Sequence, residues 1–515
     1  MPASYLMTSR KFVKDDGAAA KHKVFRRFLT KLVAALKIAL PAGLCLLVTA
    51  CGGTSDAAKP SPPGKQSHQV LSIDSPAGTA WIWKSGSQSG DAASVYGTEG
   101  VAAPGNTPGA RYAPVSWTDA SGNFWLFGGW DGQGMYNDMW EYNPITGEWA
   151  WMGGTSTQNA PGVYGTQGQA DAGDIPGART EAALWRDAAG DVWLFGGQGY
   201  DSTGTWGVLN DLWEYSPANG MWTWVSGSNT GSNPAQSSSP PLNGVYGTLG
   251  TGAAGNGPGA RTSANLWTDA AGKVWLFGGD GYGPSGNNVD VLNDLWVYDP
   301  GTGLWTWMGG STTFEAAGVY GTQGVAAAGN VPGARNGASS WTDAAGNLWL
   351  FGGWGGGYLN DVWMYAPSTG LWTWVAGSSE FNSVGVYGKA NVAAASNLPS
   401  GRISANAWVD SAGNVWLFGG FGDDNYAIGD EGDMNDLWEY SPTAGLWTWV
   451  SGCNKVNSHG VYGSLGIASN TSLPGARTAS VSWIDASGNI WLFGGQGFGA
   501  TGGTYELNDL WEYQR

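Results

Sequence analysis

The stretch Trp125-Leu126-Phe127-Gly128-Gly129 recurs without change at Trp193 to Gly197, Trp275 to Gly279, Trp349 to Gly353, Trp416 to Gly420 and Trp491 to Gly495. Trp and Phe lie two apart, so in a strand they share one face and Leu takes the other. The Gly pair predicts the end of the strand and a backbone conformation that a Cβ would obstruct. Six copies spaced 67 to 82 residues apart define an array of like units.

Three other patterns keep a fixed distance from this motif. An Arg (Arg111, Arg179, Arg261, Arg335, Arg402, Arg477) stands 14 residues before each motif Trp, and a Val-Tyr-Gly (Tyr96, Tyr164, Tyr246, Tyr320, Tyr387, Tyr462) puts its Tyr 15 residues before each Arg. Asn-Asp pairs, ending in Asp138, Asp211, Asp294, Asp361, Asp436 and Asp509, follow the motif. Trp-x-Trp pairs close the first five units at Trp149/Trp151, Trp222/Trp224, Trp305/Trp307, Trp372/Trp374 and Trp447/Trp449. Turn chemistry separates these segments: Asp-Ala/Ser-x-Gly in one place, mostly Pro-x-x-Gly in another. The reading is four strands per unit, a to d, in an all-β chain. Strand a follows the Arg, b is the repeated motif, c follows Asn-Asp, and d is Trp-x-Trp.

The Arg opening strand a, the double Gly after strand b, the Tyr of strand c and the Trp of strand d resemble kelch repeats and the kelch-type propeller of galactose oxidase. The resemblance covers residues 80–515 and implies a six-bladed kelch-like β-propeller, four strands per blade. Each unit is about twenty residues longer than a kelch repeat of ~50, and the Val-Tyr-Gly connector is the excess. The chain stops after strand c of the sixth unit, and an unmatched Trp81-Ile82-Trp83 stands at the start. That strand is expected to complete the last blade and close the ring, which hides the open edges. Copper chemistry of the galactose oxidase kind is not implied. Beyond residue 50 the only His are His68 and His459, so a pair of copper-binding His inside the propeller is missing.

The first fifty residues differ in kind. Lys21, Lys23, Arg26, Arg27, Lys31 and Lys37 precede an apolar run from Ile38 to Val48. That is the make-up of an export signal. The run ends in Leu47-Val48-Thr49-Ala50-Cys51-Gly52-Gly53, which resembles a bacterial lipobox. The resemblance implies that residues 1–50 are removed, that Cys51 is lipidated, and that the Gly/Ser/Pro/Ala-rich stretch 51–79 tethers the protein to the cell envelope. Gly52 in place of Asp implies the outer membrane in a Gram-negative host. Without residues 1–50 the chain has 14 Lys and Arg against 38 Asp and Glu, a net charge of −24, which argues against nucleic-acid binding. Cys453 is then expected to stand alone, and the protein to be a monomer.

In a four-stranded antiparallel unit the a–b and c–d turns share one end. These turns are short and nearly constant. The b–c loops and d–a connectors share the other end and carry almost all the variation, so function is expected there. Thirty of the 33 Trp belong to the repeated pattern, and the remaining Trp130, Trp206 and Trp354 all fall in the b–c loops. An indole there offers a flat apolar face to a sugar ring or a partner side chain. Tyr136, Tyr200, Tyr282, Tyr358, Tyr426 and Tyr505 occupy the same loops, and Glu181 interrupts a run of Ala, Ser and Gly two residues after each Arg. Asp423, Asp424, Asp430 and Asp433 crowd one Gly-rich loop, which suggests calcium without matching the EF-hand spacing. The Arg and Asn-Asp sets occur in every unit and are expected to be structural. No Cys/His zinc pattern, phosphate loop or nucleophile elbow is present. The expected role is non-catalytic binding of a glycan or protein. The alternative is a carboxylate-based carbohydrate-active enzyme on the same face.

Overall fold

A computed structural model describes residues 72–76, 78–236, 239–423 and 431–515. The chain divides into two compact units, Met1–Val48 and Thr49–Arg515, and the first lies wholly outside the described residues. So do Cys51, most of the expected tether, and Asp424, Tyr426 and Asp430. The described residues form antiparallel strands and no helix.

The third repeat shows the design. Strand a (Asn265–Thr268) pairs with b (Val274–Tyr282), b with c (Val289–Asp299), and c with d (Leu304–Gly309). Trp267 lies opposite Trp275, and Trp296 opposite Trp307, so the aromatic side chains form cross-strand pairs. The same a-b-c-d order recurs along the chain in a β-propeller-like arrangement. In the fifth repeat the upper parts of strands b and c, Phe421–Asp423 and Glu431–Asp433, form a separate three-stranded sheet with Arg402–Ile403.

The Gly pair does not end strand b in every repeat. In the second, third, fourth and sixth, strand b runs through it with a shift of register, as between Phe277 and Gly279. Both glycines of the third repeat have positive φ, 64° and 93°, and act as a bulge in a continuous strand. A Cβ on Gly278 would stand 2.7 Å from the carbonyl oxygen of Arg335 in the next repeat. The pair is therefore Gly because the neighbouring sheet approaches there.

Strand a is broken at one residue in each repeat: Ala113, Glu181, Ser263, Gly337, Ser404 or Ala479, all with φ between 48° and 61°. The N–H of Glu181 donates to the carbonyl of Ala113, Ser263 to Glu181, Gly337 to Ser263, Ser404 to Gly337, Ala479 to Ser404, and Ala113 to Ala479. These six bonds, 2.7–3.2 Å long, make a closed cycle. The N-terminal strand Ala80–Ser85 pairs with Thr504–Gln514 of the sixth repeat, Trp81 opposite Tyr513.

The core lies between adjacent sheets. One cluster packs Trp193 and Phe195 of the second repeat on Leu276 and Trp296 of the third. Another packs Phe124 and Trp140 of the first on Trp491 and Leu510 of the sixth. Phe124 stacks on Trp483 with centroids 5.2 Å apart. Such rings each bury a large apolar area, so inter-sheet contact is the main source of stability. The extra length of each repeat lies along the outer edge of strand d. Gly100 and Ala103 donate backbone hydrogen bonds to the carbonyls of Trp151 and Trp149, and equivalent bonds recur at Gly168, Gly250, Gly324, Asn391 and Gly466. The connector thereby covers part of an edge that would otherwise offer free N–H and C=O groups.

Cys453 corrects one expectation. It is buried and disulfide-bonded, not alone, and its partner lies outside the described residues. Beside it, Ser72–Ile73 pairs with Gly452 and Cys453 as a fifth strand on that sheet.

Candidate functional site

The six arginines are sealed inside. The Arg261 guanidinium grips Asp294 through two parallel hydrogen bonds, 2.7 and 2.9 Å, and also donates to the carbonyls of Gly259 and Gly278. Asp294 Oδ2 further accepts the indole N–H of Trp296 and the hydroxyl of Tyr246, each at 2.7 Å. The same Arg–Asp–Tyr–Trp clasp forms at Asp138, Asp211, Asp361, Asp436 and Asp509. Burial opposes the charge on both partners, yet Asp294 holds the Arg261 guanidinium above its ordinary value and Arg261 holds the Asp294 carboxyl below its own. Bidentate geometry and additional donors are what make a buried ion pair tolerable. In five of the six repeats the Asn of the Asn-Asp pair works between repeats. Asn293 donates to the carbonyl of Pro332, and Asn508 of the sixth repeat to Pro108 of the first. Thus the fixed spacing of Tyr, Arg and Asn-Asp encodes structure, and these arginines offer no free charge to a ligand.

The residue after each Arg belongs to a different environment. Tyr112, Thr180, Thr262, Asn336, Ile403 and Thr478 pair with the residue after each Gly pair: Trp130, Gln198, Asp280, Trp354, Phe421 and Gln496. Below them the hydrogen-bonded cycle and the residue following each of its members line a recess of ≈ 290 Å³ to which all six repeats contribute. This mouth is where the repeats stop being alike.

Glu181 is the one charged member of the cycle. Its Oε1 accepts a 2.6 Å hydrogen bond from the Tyr112 hydroxyl of the preceding repeat. Burial, reinforced by Glu181, pushes the Tyr112 hydroxyl well above its ordinary pKa, so it remains a donor. Trp130 is half-buried and meets Tyr112 edge to face, centroids 5.6 Å apart. Glu506 approaches the same corner from the sixth repeat: it is bound by Gln496 at 3.1 Å and lies beside Gly132. Burial raises its carboxyl above the usual range. The half-buried Trp354 is paired with Tyr358, which packs against Phe421 at 5.9 Å.

Other predicted residues are scattered. Trp206, half-buried, opens strand c of the second repeat and pairs with Tyr200, whose hydroxyl is raised by burial. Tyr282 does not face a ligand. It is 1% exposed, packs on Val208 and Ala260, and its hydroxyl accepts from Ser232. Alternation along strand b cannot distinguish such a tyrosine from a surface one, because both sides of the extended strand meet protein. Asp423 and Asp433 are buried on paired strands, and burial holds the Asp433 carboxyl well above the normal range. Among the described residues the group of three carboxylates close enough to share a cation lies elsewhere, at Asp187, Asp191 and Glu214, at the a–b turn end. In the first and sixth repeats Asn123 and Asn489 bridge the two matching carboxylates through an amide. In the second repeat Asp191 stands there instead, giving an oxygen-only donor set of the kind that suits calcium. The sequence showed Asp187 only as a turn former, and strand pairing brings Glu214 to it.

A second recess, ≈ 680 Å³, opens between the first d–a connector and the first b–c loop, with Asp91, Ser94, Asp131 and Gln158 on its walls. Asp131 accepts from the Tyr136 hydroxyl at 2.6 Å, and Tyr136 lies under the Arg111 guanidinium. Tyr136 therefore braces the loop. The chain matches no protein-family model and no curated protein.

Proposed function

We propose that residues 80–515 form a closed six-bladed, kelch-like β-propeller of an exported protein, the compartment in which a disulfide at Cys453 persists. In this reading it is a non-catalytic binding module for a glycan. Six blades are supported by the closed cycle of six hydrogen bonds and by the pairing of Ala80–Ser85 with the last repeat. The observation that carries the binding role is the break in likeness at the mouth. Identical clasps lie beneath six positions held in turn by Trp, Gln, Asp, Trp, Phe and Gln, and the two tryptophans are half-buried and suited to stacking on sugar rings. A glycan-array screen of the protein and of a Trp130→Ala/Trp206→Ala/Trp354→Ala variant tests this. Binding that the triple variant loses while its melting transition stays cooperative supports the module. Binding that survives the triple change overturns the proposed face.

A carboxylate-based carbohydrate-active enzyme is the second reading, favoured by Glu506 and Glu181 flanking Tyr112. Both carboxyls act on the Tyr112 hydroxyl, and Glu506, raised by burial, has the character of the acid in an acid–base pair. Turnover of a bound glycan that falls in both Glu181→Gln and Glu506→Gln would favour it over simple binding.

A further inference from the structure

The corner formed by Trp130, Tyr112 and Glu181 has a definite chemical preference. Resting on the reading of this face as a glycan-binding one, we infer that it recognises a saccharide carrying a free, protonated amine.

Charge sign is the first reason. The twelve paired mouth positions and the six cycle positions include Glu181 and Asp280 but no Lys, Arg or His. The nearest cations, the six arginines, are each closed by an aspartate. An acidic sugar would meet the like charge of Glu181, and a neutral one would cover Glu181 without a partner for its charge. The second reason is the carboxylate's availability. Glu181 Oε1 takes the Tyr112 hydroxyl, and among the described residues Oε2 has no hydrogen-bond donor. The third is the aromatic wall. Trp130 and Tyr112 meet at 78°, so a cation can rest against a ring while its N–H groups reach Glu181. Finally, the carboxylate is held in place. The Glu181 N–H is bound to Ala113, its carbonyl accepts from Ser263, and its φ is 56°, so the backbone beneath it is fixed from both sides.

The test compares three probes by calorimetry: a glucosamine tetramer, its fully N-acetylated counterpart, and tetralysine. Glu181→Gln keeps an acceptor for Tyr112, so the corner stays intact, and melting temperatures check it. The glucosamine tetramer should bind about tenfold more tightly than the acetylated one. Glu181→Gln should erase that difference, so that both tetramers bind the variant equally, and Trp130→Ala should weaken both sugars. Equal affinity for both sugars in the unaltered protein overturns the amine preference and leaves the glycan-binding reading standing. Binding of tetralysine above both sugars overturns the saccharide as the source of the amine. Failure of both sugars to bind overturns the preference and counts against glycan binding itself.

Discussion

Arg111 and Tyr112 are neighbours in sequence, and so are the matching pairs in the other repeats. The first position of each pair lies in a sealed clasp and is Arg every time. The second lies at the mouth and is Tyr, Thr, Thr, Asn, Ile and Thr in turn. Alternation along a strand sends consecutive side chains to opposite sides. One side meets a buried Asp whose charge admits only one partner. The other meets no fixed partner: it is partly exposed at Tyr112, Asn336, Ile403 and Thr478 and covered at Thr180 and Thr262, so its identity varies. Sameness in this molecule therefore marks what holds it together, and difference marks what it meets.

The largest test of that contrast is alkaline pH. Burial, with Asp131 and Glu214 assisting at the first two, pushes Tyr136, Tyr298 and Tyr365 up to about 12, and the clasp tyrosines are raised too. A raised folded-state pKa gives stability that is fully present below the unfolded value of 10.0 and is lost as pH rises through the folded one. Tyrosinate absorbance should therefore lag behind free tyrosine above pH 10 and then appear together with cooperative loss of the near-ultraviolet circular dichroism. Titration of most of the 20 tyrosines near pH 10 with the fold intact would contradict sealed clasps.

Within one clasp, Arg335→Ala leaves Asp361 buried without its counter-charge and should cost about 3–5 kcal/mol in urea unfolding. Tyr320→Phe removes one donor from Asp361 and should cost about 1.5 kcal/mol. If the two changes cost the same, the ion pair is not what the clasp is built around. Across the strand, Asn336→Ala at the mouth should move stability by no more than ~0.5 kcal/mol. A loss as large as that of Tyr320→Phe would erase the contrast between the two positions.

Much of this was legible in the sequence. Fixed spacings exposed the repeats and the four strands, and recurrence in every repeat correctly made Arg and Asn-Asp structural. The Gly pairs misled, because a bulge and a strand end make the same demand for positive φ. Glu181 stood out as a departure from pattern. Its partner Tyr112 did not, because it comes from the preceding repeat, and Glu506 comes from the far end of the chain.

The order of strands, the all-β class, the buried role of the repeated residues and the length of each repeat follow from local pattern, since strand alternation and turn chemistry act over a few residues. The continuation of strand b past the Gly pair, the burial of Tyr282, the disulfide at Cys453 and the meeting of Trp130, Tyr112, Glu181 and Glu506 were decided only in three dimensions. Each depends on which sheets become neighbours, and packing between sheets joins residues that no local spacing relates.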